Sequence, residues 1–469
     1  MSIRVYNSLT KKKEEFVPLD PKGKRVNIYT CGVTVYDECH IGHARSLYVF
    51  DVMVRYLKYR RFDVHFVRNI TDVDDKIINK ANELNKKSEE IASENIKSYY
   101  RDLESLGIDR ADKEPRATEN IPGMIKHIGQ LVKKGYAYII DGDVYFSVRK
   151  FDDYGKLSGQ SIEEMREAVR IEKDTKKKDP LDFALWKKSK ENEPVWDSPW
   201  GRGRPGWHIE CSVMSLKHLN CETLDIHAGG RDLIFPHHEN EIAQSEALSG
   251  KPFAKYWIHH GLLTINGQKM AKSSGNFITV EETLKKYSVD TIKMFFLSSH
   301  YGSPIDFSDD ALKDAHKALD RFDILFWKAY EIIKDKDVKT KEADFIKKHK
   351  QGFMTAMDDD FNTPKALASL FELVSDTNKY IDQKKNTRDY INVIYSAVDT
   401  LEDLGKNIFG LFLKEAEKKL TEHEEHFLEE RKKARAAKNF KRSDELRKLL
   451  KEKGIAVEDT KDGQVWRWI

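Results

Sequence analysis

Cysteine is scarce in this chain of 469 residues: there are four, Cys31, Cys39, Cys211 and Cys221. That is far too few for a disulfide framework and fits a reducing compartment in which thiols serve a metal or a catalytic step. Long apolar runs are also missing. No segment could span a bilayer, and Met1-Ser2-Ile3-Arg4 leads straight into mixed polar sequence without the apolar stretch of a signal peptide. The expectation is a soluble, cytoplasmic protein with no membrane partner. A dominant charge is missing too. The formal net charge is only +3, so no global field implies a nucleic-acid partner, and such a partner must be sought in where the positive charge sits. There is no G-x-G-x-x-G after the first expected strand and no G-x-x-x-x-G-K-[ST] anywhere, which leaves a dinucleotide fingerprint and a P-loop both unsupported. Nor is there an internal repeat.

What remains is a globular composition, 39% apolar and 34% charged, in a chain long enough for roughly two to four domains. Val26-Asn27-Ile28-Tyr29-Thr30-Cys31 alternates as a strand, which Gly32 is expected to end. A loop leads to His40-Ile41-Gly42-His43. Leu47, Phe50, Val54 and Leu57 then recur at helical spacing to about Arg60, and Val64 to Ile70 reads as a second strand. Strand, helix, strand makes a βαβ unit with a right-handed crossover. Ligands in such folds sit at the carboxyl ends of the strands, which puts Cys31, the loop after it and Thr71 on one rim.

Further along, Asp72 to Leu106 is helical and charged, and Ala137 to Val148 reads as a hairpin turning at Asp141-Gly142-Asp143. The charge-rich stretch from Glu172 to Glu193, with Pro180 and Pro194, is expected to contain exposed loops. Leu224 to His227 is strand-like and ends in Ala228-Gly229-Gly230, with a polar helix expected from about Pro236. From about Asp309 to Lys453 the pattern is helical, and Ile455 to Trp466 resembles a hairpin around Asp462-Gly463.

Two segments carry a nucleotide signal. His40 and His43 lie three apart, so they share a face at a helix start, where free N–H groups and the helix dipole favour phosphate. Gly42 lets a nucleotide lie close to the backbone. Alone, the segment also reads as two surface histidines. Lys269-Met270-Ala271-Lys272-Ser273-Ser274-Gly275-Asn276 follows an apolar stretch and the turn Asn266-Gly267. Its lysines suit a clamp on a polyphosphate, and alone it also reads as a solvated basic loop.

In this order the two segments resemble the paired signature of class I aminoacyl-tRNA synthetases. The resemblance implies adenylate formation, with His40, His43, Lys269 and Lys272 as catalytic groups around the ATP phosphates, and Ala271 stands where the family often has Ser. Three blocks narrow the resemblance to the cysteinyl-tRNA synthetase family: Tyr29-Thr30-Cys31-Gly32, Gly206-Trp207-His208-Ile209-Glu210-Cys211-Ser212 and the stretch from His227 to Glu241. It runs over nearly the whole chain, from Asn7 to the tail.

The family resemblance implies one zinc ion in the amino-acid pocket, held by Cys31, Cys211, His237 and Glu241, a chemically normal zinc set. His238 is a rival ligand, and a local finger built on Cys211, His218 and Cys221 lacks a fourth nearby ligand. A soft thiolate binds zinc far better than an alcohol, so such a site separates cysteine from serine, which an apolar pocket does by only about 1–3 kcal/mol. Thr71, Trp207 and His227 would line the substrate pocket, and Gly42, Gly230, Asp232 and Lys272 would bind ATP, which comes with Mg2+. For Trp207 and for Gly229-Gly230, core filling and a tight turn are the alternative readings.

The implied fold class is α/β. It has a Rossmann-type parallel-sheet catalytic domain in two halves, 1–120 and 203–255, around a connective insertion, 121–202. A stem-contact region, 256–311, a helical bundle, 312–410, and an anticodon-binding domain, 411–469, follow. Residues 431–453 hold eleven Lys or Arg against three acidic residues, a local excess that fits a phosphate-facing surface or a solvated helix face. Arg435, Lys438, Arg442 and Trp466 are the expected tRNA contacts, with Trp466 and Trp468 able to stack on unpaired bases or to close a small core.

The implied reaction joins L-cysteine to tRNA(Cys) through cysteinyl-adenylate, in a chain expected to be a monomer. Two alternatives are a paralogous ligase coupling cysteine to an amino sugar and a non-catalytic RNA-binding paralogue.

Overall fold

A computed structural model describes residues 2–168, 176–270, 275–412, 421–460 and 463–468. The chain divides into two compact units, Met1–Phe412 and Leu413–Ile469.

The first unit is built on a sheet of four parallel strands in the spatial order Ala254–His260, Leu224–Gly230, Arg25–Thr34, Asp63–Thr71. All seven residues of Leu224–Gly230 are buried, as expected of a parallel strand covered on both faces. From Arg25–Thr34 the chain winds one way, through the helix Ile41–Tyr59, to Asp63–Thr71; on its other side lie Leu224–Gly230 and then Ala254–His260. The direction of winding reverses between Arg25–Thr34 and Leu224–Gly230. The crevice at the carboxyl ends of those two strands is where such sheets bind ligands.

Gly32 does not end the first strand. Pairing continues to Thr34 across an irregularity between Thr30 and Val33. A Cβ at Gly32 would lie 1.7 Å from the Asn69 carbonyl oxygen, so glycine here permits a close approach of two backbones. Residues 121–202 contain the helix Ile121–Lys133 and three strands of an antiparallel sheet, Ala137–Ile140, Asp143–Phe146 and Phe183–Lys188, whose fourth strand, Gly203–Pro205, lies just beyond that range. Its first hairpin turns on Asp141 and Gly142, with φ of 52° and 91°, the left-handed pair that a two-residue turn requires.

The stretch expected to contain loops also holds a strand, Phe183–Lys188. Phe183, Leu185 and Trp186 are buried, a short apolar strand masked by the lysines on either side. The helix expected near Pro236 begins at Glu239 and runs to Ser249; Pro236 lies in an irregular segment, Ile234–His238.

Four helices, Asp309–Ile333, Asp344–Asp358, Thr363–Ile381 and Arg388–Leu404, form the bundle. It is riveted to Ile41–Tyr59 by the hydroxyls of Tyr48, Tyr56 and Tyr59, which donate to Phe409 O (2.7 Å), Asp358 Oδ1 (2.5 Å) and Asp403 Oδ2 (2.8 Å).

The second unit packs the helices Glu422–Ala436 and Phe440–Glu452 with the hairpin strands Ile455–Thr460 and Gly463–Trp468. Leu428, Leu450, Ile455 and Val457 form its core. Arg431, fully buried, holds the hairpin by forked hydrogen bonds to Asp459 at 3.0 and 2.9 Å.

Candidate active site and metal centre

Four side chains from three separate stretches of sequence meet at the switch point of the sheet. Cys31 comes from the bulged end of the central strand, Cys211 from the helix Trp207–Leu219, His237 from the turn before Glu239–Ser249, and Glu241 from that helix. The ligand atoms of Cys31, Cys211, His237 and Glu241 all lie within 4.8 Å of one another. Cys31 Sγ is 3.8 Å from Cys211 Sγ and 3.7 Å from Glu241 Oε1; His237 Nε2 is 3.5 Å from Cys211 Sγ and 2.9 Å from Glu241 Oε1.

A second set, Cys31, His227, His238 and Glu241, meets the same criterion. It shares two donors with the first, with His238 Nε2 3.2 Å from Cys31 Sγ and His227 Nε2 2.8 Å from Glu241 Oε2. Two thiols, imidazoles and a carboxylate enclosed at this spacing fit a zinc-type ion. The local-finger alternative is not assembled: His218 turns to Asn120 Oδ1 at 3.2 Å, and Cys221 belongs to neither set.

The electrostatics treat the donors unequally: burial, then the hydrogen bond with Cys211, pushes the Cys31 thiol well up. Burial works against ionisation of Cys211, yet hydrogen bonds from Cys31 and His237 hold its thiol down at about 6. Burial likewise opposes the charge on Glu241, and His227 and His237 hold its carboxyl at about 2. Burial alone would keep His237 neutral; Glu241 and Cys211 raise it to about 10. A metal entering here displaces that proton.

A shell of rings orients these donors. Trp207 stacks on His237 at 4.0 Å between centroids, and Trp257 stacks on His227 at 4.5 Å. His208 Nδ1 meets His237 Nδ1 at 3.0 Å; His238 Nδ1 meets His259 Nε2 at 2.8 Å, and His259 Nδ1 meets Ser8 Oγ at 2.8 Å. His208 and His259 were missed in the sequence; their only local signal is adjacency to Trp207 and a place in the apolar stretch before the Asn266-Gly267 turn. Thr71 lies beside the cluster, donating to Glu210 Oε2 at 2.9 Å and accepting from Asn69 Nδ2 at 3.1 Å.

The histidine segment forms the start of the helix Ile41–Tyr59. His40 caps it: His40 Nδ1 accepts from the His43 N–H at 3.2 Å, and His43 Nδ1 accepts from the His40 N–H at 3.4 Å. The two rings stack at 3.6 Å. Burial keeps His40 down at about 4 and His43 well below the ordinary histidine value. Because both Nδ1 atoms accept, each neutral ring carries its proton on Nε2, leaving two parallel donors.

A Cβ on Gly42 would lie 3.0 Å from the His40 ring and 3.7 Å from Met270 Cε. Phe277 stands edge-on to His40 at 5.3 Å, and the Ile41 N–H donates to Ile278 O at 3.0 Å. Met270 within the lysine segment and Phe277 and Ile278 just after it therefore lie against the histidine segment. Lys269 closes a short hairpin strand, its backbone paired with Thr264; Lys272 lies outside the described residues. Gly230 ends its strand and Asp232 follows in an exposed turn, and a Cβ on Gly230 would lie 2.3 Å from Asp232 Oδ1.

In the second unit Arg435 pairs with Asp459 at 2.9 Å, and Arg442 with Glu430 at 3.1 Å and Glu445 at 3.5 Å. Lys438 is exposed, as is Trp466, at 37%. The Trp468 side chain lies outside the described residues.

The fold is that of solved class I synthetases. A Mycobacterium tuberculosis methionyl-tRNA synthetase in complex with methionyl-adenylate is 16% identical with a TM-score of 0.65, over 83% of this chain and 92% of that one. The Agrobacterium radiobacter K84 agnB2 LeuRS-tRNA-LeuAMS ternary complex is 10% identical with a TM-score of 0.62, over 84% and 85%. A model of the class I (C) tRNA synthetase catalytic domain matches residues 16–317, a DALR domain 352–414, and a cysteinyl-tRNA ligase anticodon binding domain 417–467. The class is therefore that of the class I tRNA synthetases, ATP-dependent ligases. The chain is 52% identical to a cysteine–tRNA ligase of Persephonella marina over the whole of both, and 47% identical to that of Aquifex aeolicus over 100% of this chain and 99% of that protein. It belongs to the cysteine–tRNA ligase family. No helix among the described residues is long and apolar enough to cross a membrane.

Proposed function

We propose that the chain activates L-cysteine with Mg-ATP and transfers it to the 3′-terminal adenosine of tRNA(Cys), with one zinc ion held by Cys31, Cys211, His237 and Glu241 selecting the substrate thiol. The observation that carries this reading is the convergence of those four donors within 4.8 Å at the switch point of the sheet. When bound there, zinc supplies a soft Lewis acid for a sulfur ligand and none of comparable strength for an alcohol.

The chain's own residues do the rest. The cysteine carboxylate oxygen attacks the α-phosphorus, the bond to the bridging oxygen breaks, and pyrophosphate leaves with the electron pair. His40 and His43 donate Nε2–H to the phosphates; Lys269 and Lys272 hold the departing pyrophosphate; Gly42 and Gly230 keep the backbone open to the nucleotide, and Asp232 holds the ribose. Catalysis is then chiefly positioning and charge stabilisation. Thr71, Trp207 and His227 enclose the substrate. Residues 1–120 and 203–255 act as the catalytic halves, 121–202 as the connective insertion and 256–311 as the stem-contact region. Residues 312–410 form the bundle along the tRNA and 411–469 the anticodon reader, in a cytoplasmic monomer. In the anticodon reader Lys438 and Trp466 are exposed, and Arg435 and Arg442 exchange their carboxylate partners for phosphates.

The test is charging of tRNA(Cys) with labelled cysteine. Cysteinyl-tRNA is expected; cysteine-dependent pyrophosphate exchange without transfer to tRNA would contradict the reading.

A further inference from the structure

Glu210 is a buried carboxyl for which the chemistry above has no use. It stands immediately before Cys211 on the helix Trp207–Leu219 and is fully buried. Its Oε2 accepts the Thr71 hydroxyl proton at 2.9 Å, while Oε1 has no hydrogen-bond partner. A buried carboxyl with an orphan oxygen is costly, and native proteins keep such groups where something else completes them.

The bonds around Thr71 say what that is. A hydroxyl has one proton and two lone pairs. The Thr71 proton goes to Glu210, one lone pair accepts from Asn69 Nδ2 at 3.1 Å, and what is left can only accept. The next partner of Thr71 must therefore be a donor. Asn69 ties this hydroxyl to the metal donors, since its Oδ1 accepts from the Gly32 N–H at 2.8 Å and lies 3.9 Å from Cys211 Sγ. A cysteine whose sulfur joins those donors carries its ammonium a few bonds away.

We propose that Glu210 is the positioning residue for the substrate's α-ammonium: it turns the Thr71 hydroxyl into an acceptor and places the compensating negative charge behind it. Glu210 and Thr71 together then separate cysteine from thiols that lack an amine. This rests on the reading that the substrate sulfur enters the Cys31–Cys211–His237–Glu241 set.

The test uses the zinc-loaded full chain as wild type, Glu210→Gln and Thr71→Val. It measures KM for cysteine and for ATP in pyrophosphate exchange, inhibition by 3-mercaptopropionate (cysteine without its amine) and bound zinc. Both variants should raise KM for cysteine about tenfold or more, the loss of one charge-assisted contact. KM for ATP, the inhibition constant of 3-mercaptopropionate and the zinc content should stay within about twofold, as expected for contacts left untouched. Equal weakening of cysteine and of the amine-less thiol, or an unchanged KM for cysteine in Glu210→Gln, would overturn the assignment. If Glu210→Gln does not fold, Thr71→Ser against Thr71→Val decides it: Ser should keep the wild-type KM and Val should not, and equal values would overturn it. Wild-type protein whose binding of 3-mercaptopropionate is indifferent to zinc would instead overturn the sulfur–metal reading.

Discussion

Arg45 ties together the two segments proposed to handle ATP, and its removal should damage both stability and nucleotide binding. It sits two residues after His43, with 1% of its surface exposed. Nη1 donates to Gly261 O at 2.7 Å and Leu262 O at 2.9 Å; Nη2 donates to Ser303 O at 2.6 Å and Tyr301 O at 3.4 Å. Gly261 and Leu262 lead directly into the hairpin that ends at Lys269. Arg45→Met keeps the bulk of the side chain and removes every donor. A hydrogen bond to a charged group contributes about 1.5–3 kcal/mol, and a carbonyl left unpaired in the interior costs about 1–3 kcal/mol. The four bonds share one guanidinium and are not additive. The Leu262 and Ser303 contacts are only partly buried, so water replaces some of what is lost. Counting the buried Gly261 contact in full, and the long buried Tyr301 contact and the two partly buried ones in part, gives a loss of about 3–5 kcal/mol. Arg45→Lys should recover only part of it, because an ammonium lacks the planar fork. Urea unfolding followed by circular dichroism measures the loss. Pyrophosphate exchange should show KM for ATP rising more than KM for cysteine. A variant with an unshifted unfolding midpoint and an unchanged KM for ATP would refute the reasoning.

Gly32→Ala should be among the most damaging single-methyl changes in the chain, because the added carbon meets a backbone oxygen at 1.7 Å. About 3 kcal/mol or more should be lost, with cysteine activation falling alongside; wild-type stability and activity would show that the two strands separate freely there. Acid should weaken the fold through His40. Its folded value is about 4 against about 6.5 for an unfolded histidine, so the unfolded chain binds more protons in that window. The stability from this group is complete above the upper value and is lost as pH falls towards the lower one. His40→Asn, which keeps an N-cap acceptor, should make the unfolding midpoint less dependent on pH between those values, and an identical slope would contradict the account.

Local pattern made much of the catalytic fold legible. Alternation marked Arg25–Thr34, helical spacing of Leu47, Phe50, Val54 and Leu57 marked Ile41–Tyr59, and Asp141-Gly142 marked a turn. Where pattern failed, tertiary contact had decided. Gly32 reads as a breaker, yet the strand passes through it because Asn69 receives the bulge. Phe183–Lys188 was hidden because its buried face spans only a few residues between charged flanks. The proposed metal donors were legible as a set only through family resemblance: His237 and Glu241 are four apart, but nothing local links them to positions 31 and 211. Arg45 and Glu210 left one faint signal, a charged residue among the buried residues of its helix, where burial is tolerated only with partners.

The central claim is that a metal held by Cys31, Cys211, His237 and Glu241 selects the substrate by its sulfur. Pyrophosphate exchange with cysteine and with serine, on zinc-loaded and chelated protein, tests it most directly. Cysteine-dependent exchange should rise and fall with zinc content towards one ion per chain, and serine should give negligible exchange in either state. Exchange with cysteine that is indifferent to the metal, or serine activated as well as cysteine, would contradict it.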